Sequence, residues 1–108
     1  MKSKSYAAFL LAGTLAFSGA ARAEPAQGLE LAQKQNCMSC HSVTRQFMGP
    51  SLHDVAAKYA SRNDATHYLT HKILEGSAGV WGVVPMPANT QLTPDEASSL
   101  ASWILTLK

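Results

Sequence analysis

The only two cysteines of this 108-residue chain stand three residues apart, in Cys37-Met38-Ser39-Cys40-His41, with a histidine directly behind them. Thiols and an imidazole at that spacing suit four chemistries: a disulfide, half of a zinc site, a dithiol redox pair, or covalent attachment of a prosthetic group. A disulfide here would close a loop of very few residues, which restrains the unfolded chain less than a long loop does. Zinc has further donors in His67 and His71, but 26 residues separate Cys40 from His67, roughly twice the ~12 to 15 of the compact finger pattern. A redox dithiol calls for Cys-x-x-Cys after a strand in an α/β setting, and no strand pattern precedes Cys37.

The fourth chemistry uses every residue of the stretch. Two thiols three apart on a helical turn project from the same side, and each can add across one vinyl group of a haem while His41 is carried beneath the iron. Cys-x-x-Cys-His is the attachment signature of c-type haem, so one covalent haem c with its iron is expected. A second axial ligand should come from far along the chain, so that polypeptide covers both faces of the macrocycle. Met38 lies inside the attachment stretch. Met48 can reach, since seven extended residues span up to about 25 Å, but Gly49-Pro50 turns the chain just after it. Met86 is bracketed by Pro85 and Pro87, which restrict the backbone on both sides, and it is preferred. Core filling is the ordinary alternative for any methionine. His53, His67 and His71 could supply bis-imidazole iron, yet each lies in a predicted helix among polar neighbours and reads as a surface residue.

The compartment bears on which chemistry is accessible. Residues 1–23 have the form of a secretory signal: Lys2 and Lys4 at the start, a mostly apolar run from Tyr6 to Ala20, and Ala21-Arg22-Ala23 as a small-x-small cleavage site. The run is shorter than the ~20 residues of a membrane span, so no span is expected after cleavage. Residues 24–108 then form one 85-residue domain, exported to the periplasm. Nine Lys and Arg stand against seven Asp and Glu in the whole chain, and six against seven once Lys2, Lys4 and Arg22 leave. The basicity belongs to the leader, and no nucleic-acid partner is implied.

The elements that must position these residues read as helices. Leu29, Leu31 and Ala32 give a modest apolar face over 26–36, leading into Cys37. Leu52, Val55, Ala56 and Tyr59 fall at i, i+3, i+4 and i+7, the helical stripe. Asn63-Asp64 can cap a third helix that carries Tyr68, Leu69, Ile73 and Leu74 and stops at Gly76. Thr93-Pro94-Asp95-Glu96 opens a fourth in capping-box form. Its predicted buried face is Ala97, Leu100, Ala101, Ile104 and Leu107, with Trp103 at one edge. The stretch 76–92 has no period but holds Val80, Trp81, Val83, Val84 and Met86, too apolar for a solvated linker, and is expected to pack against something. No long run alternates with period two, so the fold class is all-α.

With these residues assembled, the chain resembles the small bacterial class I cytochromes c, and among them the cytochrome c-551/c-552 group. The resemblance runs from about Leu29 to Lys108 through CMSCH, MGPSLHDVAAKY, ILEGSAGVWGVVPMPAN and EASSLASWILTLK. It implies a small cytochrome c-type fold of about four helices wrapped around one covalently attached haem. It further implies thioethers from Cys37 and Cys40 and iron ligation by His41 and Met86. The Pro50 carbonyl would accept the His41 Nδ1 proton, Trp81 would reach a propionate, Asn89 would hydrogen-bond near the Met86 sulfur, and Lys72 would be the basic residue near a propionate. Met48 stands where a simpler apolar residue is expected.

Iron with both axial positions filled by protein has no open site, so the implied activity is one-electron shuttling in a respiratory chain, without substrate turnover. A monomer meeting periplasmic redox proteins by transient contact is expected, with a nitrite reductase, an oxidase or a peroxidase as possible partners. Phe47, Met48 and Val83 are expected at that contact. Two readings from other classes stay open at this stage: a haem enzyme or gas sensor with open iron, and a structural exported helical domain with oxidised cysteines.

Overall fold

A computed structural model describes residues 25–107 together with residues 3, 8 and 10–14. The Ala21-Arg22-Ala23 cleavage site and most of the expected leader lie outside the described residues. Among the described residues there are four helices: α1 (Pro25–Lys34), α2 (Leu52–Tyr59), α3 (Ala65–Glu75) and α4 (Pro94–Leu105), with a short 3-10 turn at Cys37–Ser39 between the first two. Among the described residues there is no strand, only an isolated antiparallel bridge between Ser77 and Met86, and no helix is long and apolar enough to cross a membrane.

Several helix ends have a local reason. Pro25 opens α1, where a missing N–H costs nothing. Asn36, in the left-handed region at φ 62°, turns the chain away from it before Cys37. Ser51 caps α2 by accepting from the Asp54 N–H at 3.0 Å. At α4 the capping box is complete: Thr93 Oγ1 accepts from the Glu96 N–H, and Glu96 Oε1 accepts from the Thr93 N–H, each at 3.1 Å. Asp64 does precede α3, but its side chain makes no cap. The carboxylate pairs with the Arg62 guanidinium instead, which holds it below the usual carboxylate range.

The core gathers on α4, which packs against α1, α2 and α3. Ala97, Leu100 and Ala101 are buried as the periodicity predicts. Trp103 corrects the expectation of an edge residue: it is only 3% exposed, while Ile104 and Leu107 are partly buried. The reason sits on α1, where Gly28 leaves room for the indole. A Cβ built at Gly28 would lie 2.6 Å from Trp103 Cδ2 and closer still to two other ring atoms. Leu52, Val55 and Tyr59 from α2 and Leu69 and Ile73 from α3 join the cluster. The 76–92 segment also departs from expectation, because Val83 is fully exposed and Val84 half so. These side chains lack a polypeptide partner to cover them.

Gly28→Ala tests this packing. Helix propensity alone would favour alanine by up to about 1 kcal/mol, whereas forcing a methyl against a buried ring costs about 1–3 kcal/mol. The steric effect should win, with a net loss of about 1 kcal/mol or more in denaturant unfolding of the haem-loaded protein; a gain would show that Trp103 moves freely.

Candidate functional site

Two backbone segments face each other across a cleft of about 340 Å³. One is the attachment stretch and the loop behind it. Backbone N–H groups of Cys40 and His41 both donate to the Cys37 carbonyl, at 3.3 and 3.0 Å, and the Ser39 hydroxyl donates to the Asn36 carbonyl at 2.7 Å. This winds Cys37 and Cys40 through one tight turn, and both sulfur-bearing residues line the cleft. Burial pushes the Cys37 thiol up from its ordinary value, so a free thiolate is scarce there at neutral pH.

His41 is held from behind. Its Nδ1 lies 2.7 Å from the Pro50 carbonyl oxygen. A carbonyl can only accept, so Nδ1 carries the proton, and a neutral ring then has its lone pair on Nε2. The loop that presents Pro50 is itself closed by the Gly49 N–H donating to the Cys40 carbonyl at 2.8 Å. Leu52 and His53 N–H groups donate to the Ser42 and Val43 carbonyls, which fixes this loop to the start of α2. Gly49 was missed as a site residue. A Cβ there would stand 2.8 Å from His41 Cε1 and 3.0 Å from Nδ1, so only glycine lets the backbone pass under the imidazole.

The opposing segment is carried by α3. Gly76, at φ 85°, ends that helix and turns the chain back; a Cβ there would meet the Met86 carbonyl oxygen at 2.6 Å. Ser77 and Met86 then exchange both backbone hydrogen bonds, at 3.0 and 2.8 Å. Met86, between Pro85 and Pro87, is the one partly buried residue of this run, and it lines the cleft. Asn89 donates from both its backbone N–H and its side-chain Nδ2 to the Ile73 carbonyl, at 3.2 and 2.9 Å. Its amide therefore clamps the segment to α3, and the bond the structure gives it is to that carbonyl rather than to the Met86 sulfur.

Aromatic and basic groups gather at one part of the rim. The Trp81 ring meets the edge of Tyr59 at 6.4 Å between centroids, and Tyr59 meets Tyr68 at 5.0 Å. Burial, then the neighbouring Tyr68 phenol, pushes Tyr59 up to about 12. Lys72 Nζ lies 5.4 Å from the Tyr68 ring centroid, and Lys58 Nζ 5.1 Å from that of Trp81. Lys58 was not singled out from sequence; its place in the last turn of α2, one residue before Tyr59, is the only signal it offers. Met48 also borders the cleft and is more than half exposed, as is Phe47 beside it. His53, His67 and His71 are all exposed, as expected of surface residues, and none borders the cleft.

The donor set fits a haem. Two thiols, an imidazole with its Nε2 free, a thioether from the far segment and a mostly apolar wall including Leu52, Val55, Leu69 and Leu100 all border one cleft. Three comparisons agree with that chemistry. A family profile for cytochrome c matches residues 25–108. Cytochrome c-552 of Nitrosomonas europaea is 50% identical over 97 residues, covering 89% of this chain and 94% of the relative. Cytochrome c-551 of Pseudomonas denitrificans is 48% identical over 81 residues, 75% of this chain and 98% of the relative. The crystal structure of wild-type Nitrosomonas europaea cytochrome c552 superposes with a TM-score of 0.73 at 52% identity, over 74% of this chain and 99% of that one.

Gly49→Ala should disturb the imidazole without touching a cysteine. The methyl would push His41 away from Pro50, at a cost of about 1 kcal/mol for the lost hydrogen bond. In the haem-loaded protein the His41 Nδ1 proton should exchange with water measurably faster by NMR; an unchanged exchange rate would mean that the loop yields instead.

Proposed function

The chain belongs to the cytochrome c family and carries one covalent haem c, and from that premise we propose that it shuttles single electrons between periplasmic redox proteins of a respiratory chain. It is an electron carrier and not an enzyme. The observation that supports this reading most is that His41 and Met86, from opposite halves of the chain, border one apolar cleft together with both cysteines. When bound, haem c supplies an iron that changes valence by one electron.

Every other part of the function falls to the polypeptide. Cys37 and Cys40 would hold the group as thioethers, and His41 Nε2 and the Met86 sulfur would hold its iron, leaving no open position for substrate or gas. Pro50 fixes the His41 tautomer and increases the basicity of the ring. A thioether opposite imidazole favours the reduced state and raises the potential. Asn89 acts first by clamping the Met86 segment to Ile73, and its second amide proton is the one available to the sulfur. Trp81 and Lys72, joined by Lys58, supply the donors and positive charge for the propionates. Because these groups are tied to helices by backbone hydrogen bonds, little rearrangement accompanies a change of charge.

Export completes the reading. Residues 1–23 serve as the leader and are cleaved after Ala23; Leu10 and Leu11 within it are 93% exposed. The mature protein meets its partners as a monomer, through small and transient contacts. Phe47, Met48 and Val83 form the contact patch, each more than half exposed. A nitrite reductase, an oxidase and a peroxidase all fit such a donor.

Met86→Ala tests the axial assignment. The oxidised variant should lose the sulfur-to-iron charge-transfer band, and its potential should fall by on the order of 100 mV or more; a retained band would assign the ligand to Met48 or another donor. Single replacement of Phe47, Met48 or Val83 by Lys tests the patch. Each should slow electron exchange with a periplasmic oxidase or reductase several-fold while leaving the visible spectrum intact, and unchanged rates for all three would reject it.

A further inference from the structure

The cleft accounts for Cys37, Cys40, His41 and Met86, but not for the second pair of metal-capable residues in the sequence, His67 and His71. These lie four apart on α3, and residues at that spacing stand on one helical face, one turn above the other. Their ring centroids are 4.5 Å apart with the planes at 70°. A single Zn²⁺ bound to two imidazoles at about 2.1 Å each needs centroids roughly 5 Å apart, so the spacing of the two rings suits joint ligation. Paired histidines at this helical spacing are a known zinc-binding arrangement.

The surroundings favour a cation further. The Glu75 carboxylate stands 3.4 Å from His71 Nδ1, one turn further along α3. A carboxylate behind one ring nitrogen holds that nitrogen protonated and presents the other, Nε2, as the metal ligand. Asp64, at the start of the helix, has its carboxylate paired with Arg62. Both histidines are solvent-exposed and neither borders the cleft. The helix instead buries Leu69 and Ile73, so a cation on the histidines needs no change in the core.

We propose that His67 and His71 form a second metal site on the outer face of α3, which takes a divalent transition-metal cation of the zinc and copper class through two imidazoles, with Glu75 positioning His71. Among the described residues no group of three or more His, Cys, Asp or Glu side chains converges, so water completes the coordination and the metal exchanges freely. Imidazole pairs prefer Cu²⁺ and Zn²⁺ over Mg²⁺ or Ca²⁺, which sets the selectivity of the site.

Zn²⁺ is the suitable probe because it has no redox chemistry of its own. Titration of the oxidised, haem-loaded mature protein by calorimetry, with NMR of the histidine ring protons, should give one Zn²⁺ per chain and shifts at His67 and His71 together. His67→Gln and His71→Gln should each weaken binding by about tenfold or more, and Glu75→Gln by a smaller factor. His53→Gln should leave binding unchanged, and Mg²⁺ should not compete. Zn²⁺ binding that survives both His67→Gln and His71→Gln, or that is absent at millimolar Zn²⁺, would overturn the site. A stoichiometry of one Zn²⁺ per two chains would also overturn it, by assigning the metal to a contact between copies. The visible spectrum of each variant verifies that the haem environment is intact.

Discussion

A chain this small cannot stay folded around an empty centre. A chain of this size buries only about 60–65% of the surface that its unfolded form exposes, and here the middle is a cleft of about 340 Å³ walled by Leu52, Val55, Leu69 and Leu100. At roughly 24 cal/mol per Å³, leaving such a space unfilled would cost up to ~8 kcal/mol, an upper limit because the cleft is partly open. Whole domains of this kind are stable by only about 5–15 kcal/mol. The haem is therefore the missing centre of the core as well as the redox group, and its covalent attachment keeps that centre in place.

The rest of the architecture can be understood as two backbone clamps on that centre. On one side the 41–50 loop folds under His41, with the Gly49 N–H on Cys40 and the Pro50 carbonyl on the ring. On the other, Gly76, the Ser77 and Met86 bridge, and the double bond from Asn89 to Ile73 hold the methionine segment to α3. The bonds that form each clamp run between residues of one continuous stretch. α4 then ties α1, α2 and α3 together through Leu100, Ala101 and Trp103. His41 and Met86 are thus fixed by hydrogen bonds within their own segments, while their separation across the cleft is set by helix packing.

Much of this was legible because its causes are local. The Thr93 to Glu96 capping box, the stripe of α2, the stop at Gly76 and the haem attachment pattern each depend on residues within a few positions of one another. What the sequence obscured depends on distant contacts or on competition between neighbouring groups. Trp103 is buried because Gly28, some 75 residues earlier, makes room; from periodicity alone it falls at an edge. Asp64 was a sound cap by type, but Arg62 two residues before it competes for the carboxylate and wins. Gly49 looks like an ordinary turn residue until the His41 ring is placed over it. Val80, Trp81 and Val84 were expected to be covered; all three border the cleft that the bound group fills, and Trp81 also packs against Tyr59.

The most direct measurement is amide hydrogen exchange at Leu100 and Ala101, the centre of α4, in the haem-loaded protein and in a haem-free Cys37→Ala/Cys40→Ala variant. If the group completes the core, these amides exchange in the loaded protein only at the rate of global unfolding and lose nearly all protection in the haem-free chain. Equal protection in the two would contradict the account, because it would show that the polypeptide holds its core without the centre that the cleft is built to enclose.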